Sequence, residues 1–219
     1  MLDSLLPSTL VVVEAFTDDE SETCFEGEED LIASAVPGRR REFVTARRCA
    51  RDALARLGHP PVAIRSGPGR EPVWPAGLTG SITHCPGYRG AAVARTAEVV
   101  SVGIDAEPHA PLPPRVLDVV TAPGDAGHLA DLSRAEPAVH WDRLLFSAKE
   151  AVYKTWYPLT RRWLGFDEAN LTVDPGAGTF TARVRVDGTR IDGGRPLTVL
   201  SGRYLIDGGL MLTAVWTAE

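Results

Sequence analysis

Twice along this chain of 219 residues a long helical pattern is followed by short alternating strands, and that order constrains the fold more than any other feature. In residues 39–56 the apolar side chains Phe43, Ala46, Ala50, Ala53 and Leu54 recur at helical spacing. Gly58 and Pro60 then stop the helix. Seven arginines lie in the same stretch, and Arg40, Arg47 and Arg51 fall near one face because seven and eleven residues approach whole numbers of turns. Residues 66–80 are rich in Gly and Pro and read as loop. Residues 80–84, 90–95 and 99–107 read as strands, with Pro86-Gly87 the clearest turn between them.

The second pass begins after a proline-rich crossing at residues 108–114. Pro137 opens a helix through Trp141, Leu144, Leu145, Ala148, Val152 and Trp156, and Pro158 ends it. The last sixty residues alternate as strands do, notably 179–186 and 210–216, with glycine turns between. The expected fold class is therefore α+β, in two lobes covering residues 1–108 and 109–219, although no residue-level repeat relates them.

Composition narrows the function classes. A formal charge of −6 argues against a general nucleic-acid binder, whose affinity comes from phosphate neutralisation. No stretch approaches the ~20 apolar residues of a membrane helix, and the acidic N-terminus lacks a signal-peptide pattern, so a cytoplasmic setting is expected. Cys24, Cys49 and Cys85 share no CxxC spacing and read as reduced, mostly buried thiols. Residues 14–30 carry nine acids and no base, and read as a solvated, partly irregular segment.

Chemistry concentrates in three clusters. Asp105 and Glu107 stand two apart at the end of an apolar strand, so their carboxylates share one face and repel unless a cation or water intervenes. Mg²⁺ suits such a pair, and two ordinary surface acids remain an equal reading. In FSAKEAVYK, Lys149 and Lys154 are the chain's only lysines, against twenty-one arginines, and they flank Glu150. Glu150 and Lys154 are i,i+4; a mere helix-stabilising pair is worth about 0.2–0.5 kcal/mol, and the scarcity of lysine favours a functional role. In GSITHC, Thr83 and His84 end a strand, where a lone histidine is more often structural than catalytic. Together these are parts for phosphoryl chemistry, in which catalysis is mostly positioning and charge stabilisation.

The segments GSITHC, GIDAE and FSAKEAVYK, in this order and at these separations, closely resemble the 4′-phosphopantetheinyl transferases. The arginine helix and the WDRLLFSAKEAVYKTWYPLTRRWLGF context are similar to the branch found in antibiotic-producing and mycolic-acid-making bacteria, and the likeness covers roughly residues 39–166. The resemblance implies a monomer of two α+β lobes related by a pseudo-twofold, with the active site in the cleft between them. It implies transfer of 4′-phosphopantetheine from coenzyme A to a serine of acyl or peptidyl carrier proteins, with 3′,5′-ADP released and Mg²⁺, or Mn²⁺ in its place, as metal. Whether the carrier serves fatty-acid, polyketide or non-ribosomal peptide synthesis stays open.

Carried over by the same resemblance, Asp105, Glu107 and Glu150 match the metal ligands. Glu150 also matches the general base, acting directly or through a metal-bound water, Lys154 the cation at the bridging or leaving oxygen and Lys149 a phosphate contact. Thr83 and His84 match contacts to the 3′-phosphate or pyrophosphate. Arg39 and Arg47 match the 3′-phosphate arginines, whereas helical spacing favours Arg40 with Arg47, so both are kept. Where relatives carry a lysine just before the loop's Glu-Pro, this chain reads GPGREP, and Arg70 is the replacement candidate. A metal-dependent nuclease, which should present a long basic groove, and a coenzyme A-binding regulator without turnover are the rival readings.

Overall fold

The computed structural model of the chain describes residues 1–218. Strand β1 (Val11–Ala15) precedes the arginine-bearing helix α1 (Pro37–Arg56), which starts two residues ahead of the expected 39 because Pro37 sits in its first turn. Gly58, at φ +81°, takes the left-handed position after its end. The buried side of α1, with Cys49, Ala50, Ala53 and Leu54, packs on Val13, Ala91 and Val93. Strands β2 (Leu78–Cys85) and β3 (Tyr88–Arg95) form the expected hairpin, and β1 pairs with β3 to give an antiparallel sheet of order β1-β3-β2. Strand β1 was not expected from the sequence.

Strand β4 (Ser101–Pro108) belongs to a second antiparallel sheet of order β4-β8-β7-β6-β5. Strand β4, which the sequence reading put in the first lobe, is hydrogen-bonded along its length to β8 (Leu210–Thr217) of the second sheet. Short helices α2 (Val116–Val120) and α3 (Asp125–Ala135), also unexpected, follow the proline-rich crossing. Helix α4 (Trp141–Thr160) then packs on the sheet completed by β5 (Ala169–Asp174), β6 (Thr179–Val184) and β7 (Val199–Asp207). Its core contains Leu144, Leu145, Ala148, Val152 and Trp156.

The expected bounds of α4 shift at both ends. Residues 137–140 form a turn instead, in which the His140 amide donates to His109 Nε2 at 3.3 Å. Pro158 lies inside the last turn rather than ending the helix, since a missing N–H removes one bond there and Arg161 N still reaches the Tyr157 carbonyl at 2.8 Å. Helix α4 crosses β4 so closely that a Cβ on Gly103 would collide with the Ala151 carbonyl and Thr155. No helix among the described residues is long and apolar enough to cross a membrane.

The acidic segment departs most from expectation. Glu14 accepts from the Tyr88 hydroxyl at 2.7 Å, and Asp18 receives the Arg89 guanidinium at 3.0 and 2.7 Å. Glu22 pairs with Arg48, and the wholly buried Glu28 accepts from Arg51 at 2.8 Å and the Ile64 amide at 2.7 Å. A helix with seven arginines needs counter-charge, and this segment folds back to supply it. The thiols are unpaired as expected, and burial pushes Cys49 up to about 11 and Cys85 up to about 12.

Candidate active site

Alternation along β4 sends Asp105 and Glu107 toward α4. On α4, residues 143, 150 and 154 are separated by seven and four positions, so Arg143, Glu150 and Lys154 form one stripe along the helix. Lys154 Nζ donates to Asp105 Oδ1 at 2.7 Å and to the Ile104 carbonyl at 3.0 Å. Arg143 Nη1 donates to Glu107 Oε2 at 2.7 Å. Glu150, between these two cations, has neither a hydrogen bond nor an ion pair among the described residues. Desolvation raises its pKa, the ammonium of Lys154 opposes that shift, and Asp105 and Glu107 add to it. Glu107 is likewise raised, first by burial and then by Asp105, against the pull of Arg143.

The N-terminal lobe supplies the facing wall. On β2, the Ser81 hydroxyl accepts the Ile104 amide at 3.1 Å and the Thr83 hydroxyl accepts the Ala106 amide at 3.0 Å. Thr83 Oγ1 also lies 3.5 Å from Asp105 Oδ1, so β2 aligns the acid-bearing end of β4 through side-chain hydroxyls. His84 contacts Arg39, its Nδ1 at 3.0 Å from Nη1, and burial, with Arg39 alongside, lowers its pKa to about 4. Its imidazole is therefore neutral near pH 7.

Between these walls opens a cleft of about 1020 Å³, lined by Arg70, Trp74 and Ser81 on one side and by Glu150, Lys154 and Tyr157 on the other. The loop carrying Arg70 closes on α4. Glu71 pairs with Arg161, and Gly69 passes so near the Tyr157 ring that a Cβ there would strike it. Arg70 adopts φ +66°, a conformation that L residues rarely take, and its exposed guanidinium has no partner among the described residues.

Not every expected residue reaches the cleft. Arg40 turns away and donates to the Ala35 and Ala33 carbonyls at 2.8 and 2.5 Å, which separates it from Arg39. Arg47 donates to the Ile64 carbonyl at 3.1 Å and Ser66 Oγ at 3.3 Å, at the root of the cleft loop, and burial lowers its pKa to about 10. Lys149 is buried, its ammonium held by Asp125 at 2.6 Å and by the Val120 and Phe166 carbonyls at 2.8 and 2.7 Å. The sequence reading missed Arg143, although its two-turn spacing from Glu150 was visible.

A family model described as the 4′-phosphopantetheinyl transferase N-terminal domain matches residues 27–94, and one for the 4′-phosphopantetheinyl transferase superfamily matches residues 101–195. The chain belongs to the 4′-phosphopantetheinyl transferase family. It is 53% identical over 221 residues to 4′-phosphopantetheinyl transferase Svp of Streptomyces mobaraensis, covering 100% of this chain and 89% of that one. It is also 48% identical to 4′-phosphopantetheinyl transferase PptT of Mycobacterium tuberculosis, over 98% of this chain and 97% of the relative. With 4′-phosphopantetheinyl transferase Npt of Nocardia iowensis it shares 49% identity over 98% of this chain and 99% of the relative. The transferase thus matches its relatives nearly end to end, with one family model on each side of the β3–β4 connection.

The family's metal can be tested against these residues. Among the described residues no group of three or more His, Cys, Asp or Glu side chains is already gathered as a metal site. Asp105 Oδ2 is nevertheless buried with no hydrogen-bond partner, and it lies beside two further acids whose pKa values are raised first by burial and then by the neighbouring carboxylates. A hard cation answers both features, so the donor set of this transferase fits Mg²⁺.

Proposed function

We propose that the transferase moves 4′-phosphopantetheine from coenzyme A to a carrier-protein serine within this cleft, with Glu150 as general base. The observation that carries the reading is Glu150 itself: a partnerless carboxylate with raised pKa, facing the cleft one helical turn from Lys154. Such a group takes a proton from a serine hydroxyl more readily than an ordinary surface acid does. The serine oxygen then bonds to the β-phosphorus of coenzyme A as the bond to 3′,5′-ADP breaks. Lys154, one turn from Glu150, would balance charge on the departing oxygen with its compact ammonium.

Asp105, Glu107 and Glu150 would hold Mg²⁺, with Mn²⁺ as an alternative, which when bound supplies charge neutralisation at the pyrophosphate. Arg39, His84 and Arg70 would receive the phosphates of the cofactor, neutral His84 as a hydrogen-bond partner and the arginines as forks. Thr83 acts by aligning β4, and Arg47 by fixing the root of the loop. Arg40 and Lys149 belong to the framework. Both walls of the cleft come from one chain, which supports a monomer, and three free thiols support a reducing compartment, the cytoplasm. Acyl and peptidyl carrier domains are the expected partners.

The purified chain should be incubated with coenzyme A, Mg²⁺ and an unmodified carrier domain, and the intact mass of the carrier recorded. A gain of one phosphopantetheine, abolished by chelator and by Glu150→Ala, is the expected result. Unmodified carriers of every type, with coenzyme A still bound, would favour a non-catalytic binder. Full transfer by Glu150→Ala would remove the base from that residue.

A further inference from the structure

From the geometry around Glu107 we infer that Arg143 is a positioning residue of the metal site: its single guanidinium ties the Glu107 carboxylate to the backbone turn that follows β4. The inference rests on the proposed metal role of Glu107. Arg143 Nη1 donates to Glu107 Oε2 at 2.7 Å, Nε to the Ala110 carbonyl at 3.0 Å and Nη2 to the Pro111 carbonyl at 2.7 Å. Next to it on α4, Asp142 accepts the Leu112 amide at 2.9 Å, so two consecutive residues clamp the chain just beyond the strand end. The Arg143 side chain is 14% exposed and that of Glu107 is 19% exposed.

Three features make this more than a surface ion pair. Each of the three guanidinium nitrogens donates one hydrogen bond, which fixes its plane and with it the direction of the carboxylate. One Glu107 oxygen accepts from Arg143, while the other has no hydrogen bond among the described residues. Arg143 also shares the α4 stripe with Glu150 and Lys154, so it registers Glu107 against the helix that carries the third acid. Lysine could reach Glu107 or a carbonyl with its compact head but could not reproduce the planar fork. Outer-shell groups that orient ligands typically change metal affinity by about 10–100-fold when removed.

The test is a titration of the full chain with Mn²⁺, without coenzyme A, following free Mn²⁺ by electron paramagnetic resonance. Wild type, Arg143→Gln, Arg143→Lys, Glu107→Gln and the double variant Arg143→Gln/Glu107→Gln would be compared, each checked for native near-ultraviolet circular dichroism. Arg143→Gln is expected to weaken Mn²⁺ binding about 10–100-fold, and Arg143→Lys by an intermediate factor. The double variant should bind no more weakly than Glu107→Gln alone, because the arginine acts through that carboxylate. If Glu107→Gln weakens binding and neither Arg143 variant does, the inference is overturned while the metal reading stands. If wild type shows no specific Mn²⁺ binding, or Glu107→Gln binds as wild type does, the metal role of Glu107 fails and the inference with it. Should Arg143→Gln not fold, Arg143→Lys decides the matter by the same criterion.

Discussion

His84 shows how strongly placement governs a single side chain in this molecule. Its pKa is lowered from 6.5 to about 4 by burial and by Arg39, so the folded chain resists a proton that the unfolded chain accepts. Above pH 6.5 both states hold neutral imidazole and its contribution to stability is fully present; as pH falls toward about 4 only the unfolded state gains the proton, and stability drops. Replacing His84 with Gln should therefore flatten the loss of stability between pH 6.5 and 4, read from urea denaturation midpoints at several pH values. Parallel curves for variant and wild type would show that the histidine carries no such linkage. At this scale the sequence was informative where rarity or alternation spoke. Asp105, Glu107, Glu150 and Lys154 meet because strand and helix periodicities put them on facing stripes. Rarity alone did not reveal where the Lys149 ammonium is held, since its partners Asp125, Val120 and Phe166 lie too far along the chain for spacing to show.

Between elements, the largest discrepancy was the acidic segment, and it yields the sharpest stability prediction. Glu28 is wholly buried against Arg51 at 2.8 Å and Arg47 at 4.0 Å. Removing one member of a buried ion-pair group leaves uncompensated charge and typically costs about 3–5 kcal/mol. Glu28→Ala should lose that amount in chemical denaturation, whereas Asp30→Asn, at the exposed pair with Arg65, should leave the midpoint in place. Equal effects would mean that the segment is the solvated stretch its composition suggests. A second prediction concerns Gly103, where β4 and α4 touch: Gly103→Ala should destabilise by at least about 1–3 kcal/mol, lowering Tm by ~2–4 °C per kcal/mol. An unchanged Tm would place the close approach elsewhere. Helix α1, the β2–β3 hairpin and helix α4 were legible because amphipathic spacing and Pro-Gly punctuation are local signals. Strand β1 and the counter-charge segment were not, because each is defined only by its partner across the fold, β3 for one and the α1 arginines for the other.

For the molecule as a whole, the sequence suggested two lobes, and the core shows how far they are joined. One apolar cluster draws Leu2, Leu5 and Leu6 from the N-terminus, Tyr88 and Ala92 from the first sheet, and Ile104 and Leu212 from the second. Beside it, Ser81 and Thr83 of β2 receive the backbone amides of Ile104 and Ala106 on β4. The lobes thus share a hydrophobic cluster and a seam of hydroxyl-to-amide bonds, so neither can open without exposing apolar surface and orphaning buried donors of the other. Unfolding should consequently be one transition. Fluorescence of Trp74, retained as the sole tryptophan by replacing Trp141, Trp156, Trp163 and Trp216 with Phe, should report the same urea midpoint as far-ultraviolet circular dichroism of that variant. The substitution Ser81→Ala/Thr83→Val, made in that background, leaves two buried amides without acceptors at about 1–3 kcal/mol each. It should lower both midpoints together. If Trp74 unfolds ahead of the rest even before the seam is cut, the N-terminal lobe is an independent unit, and the cleft between the lobes is free to change its width without unfolding either wall.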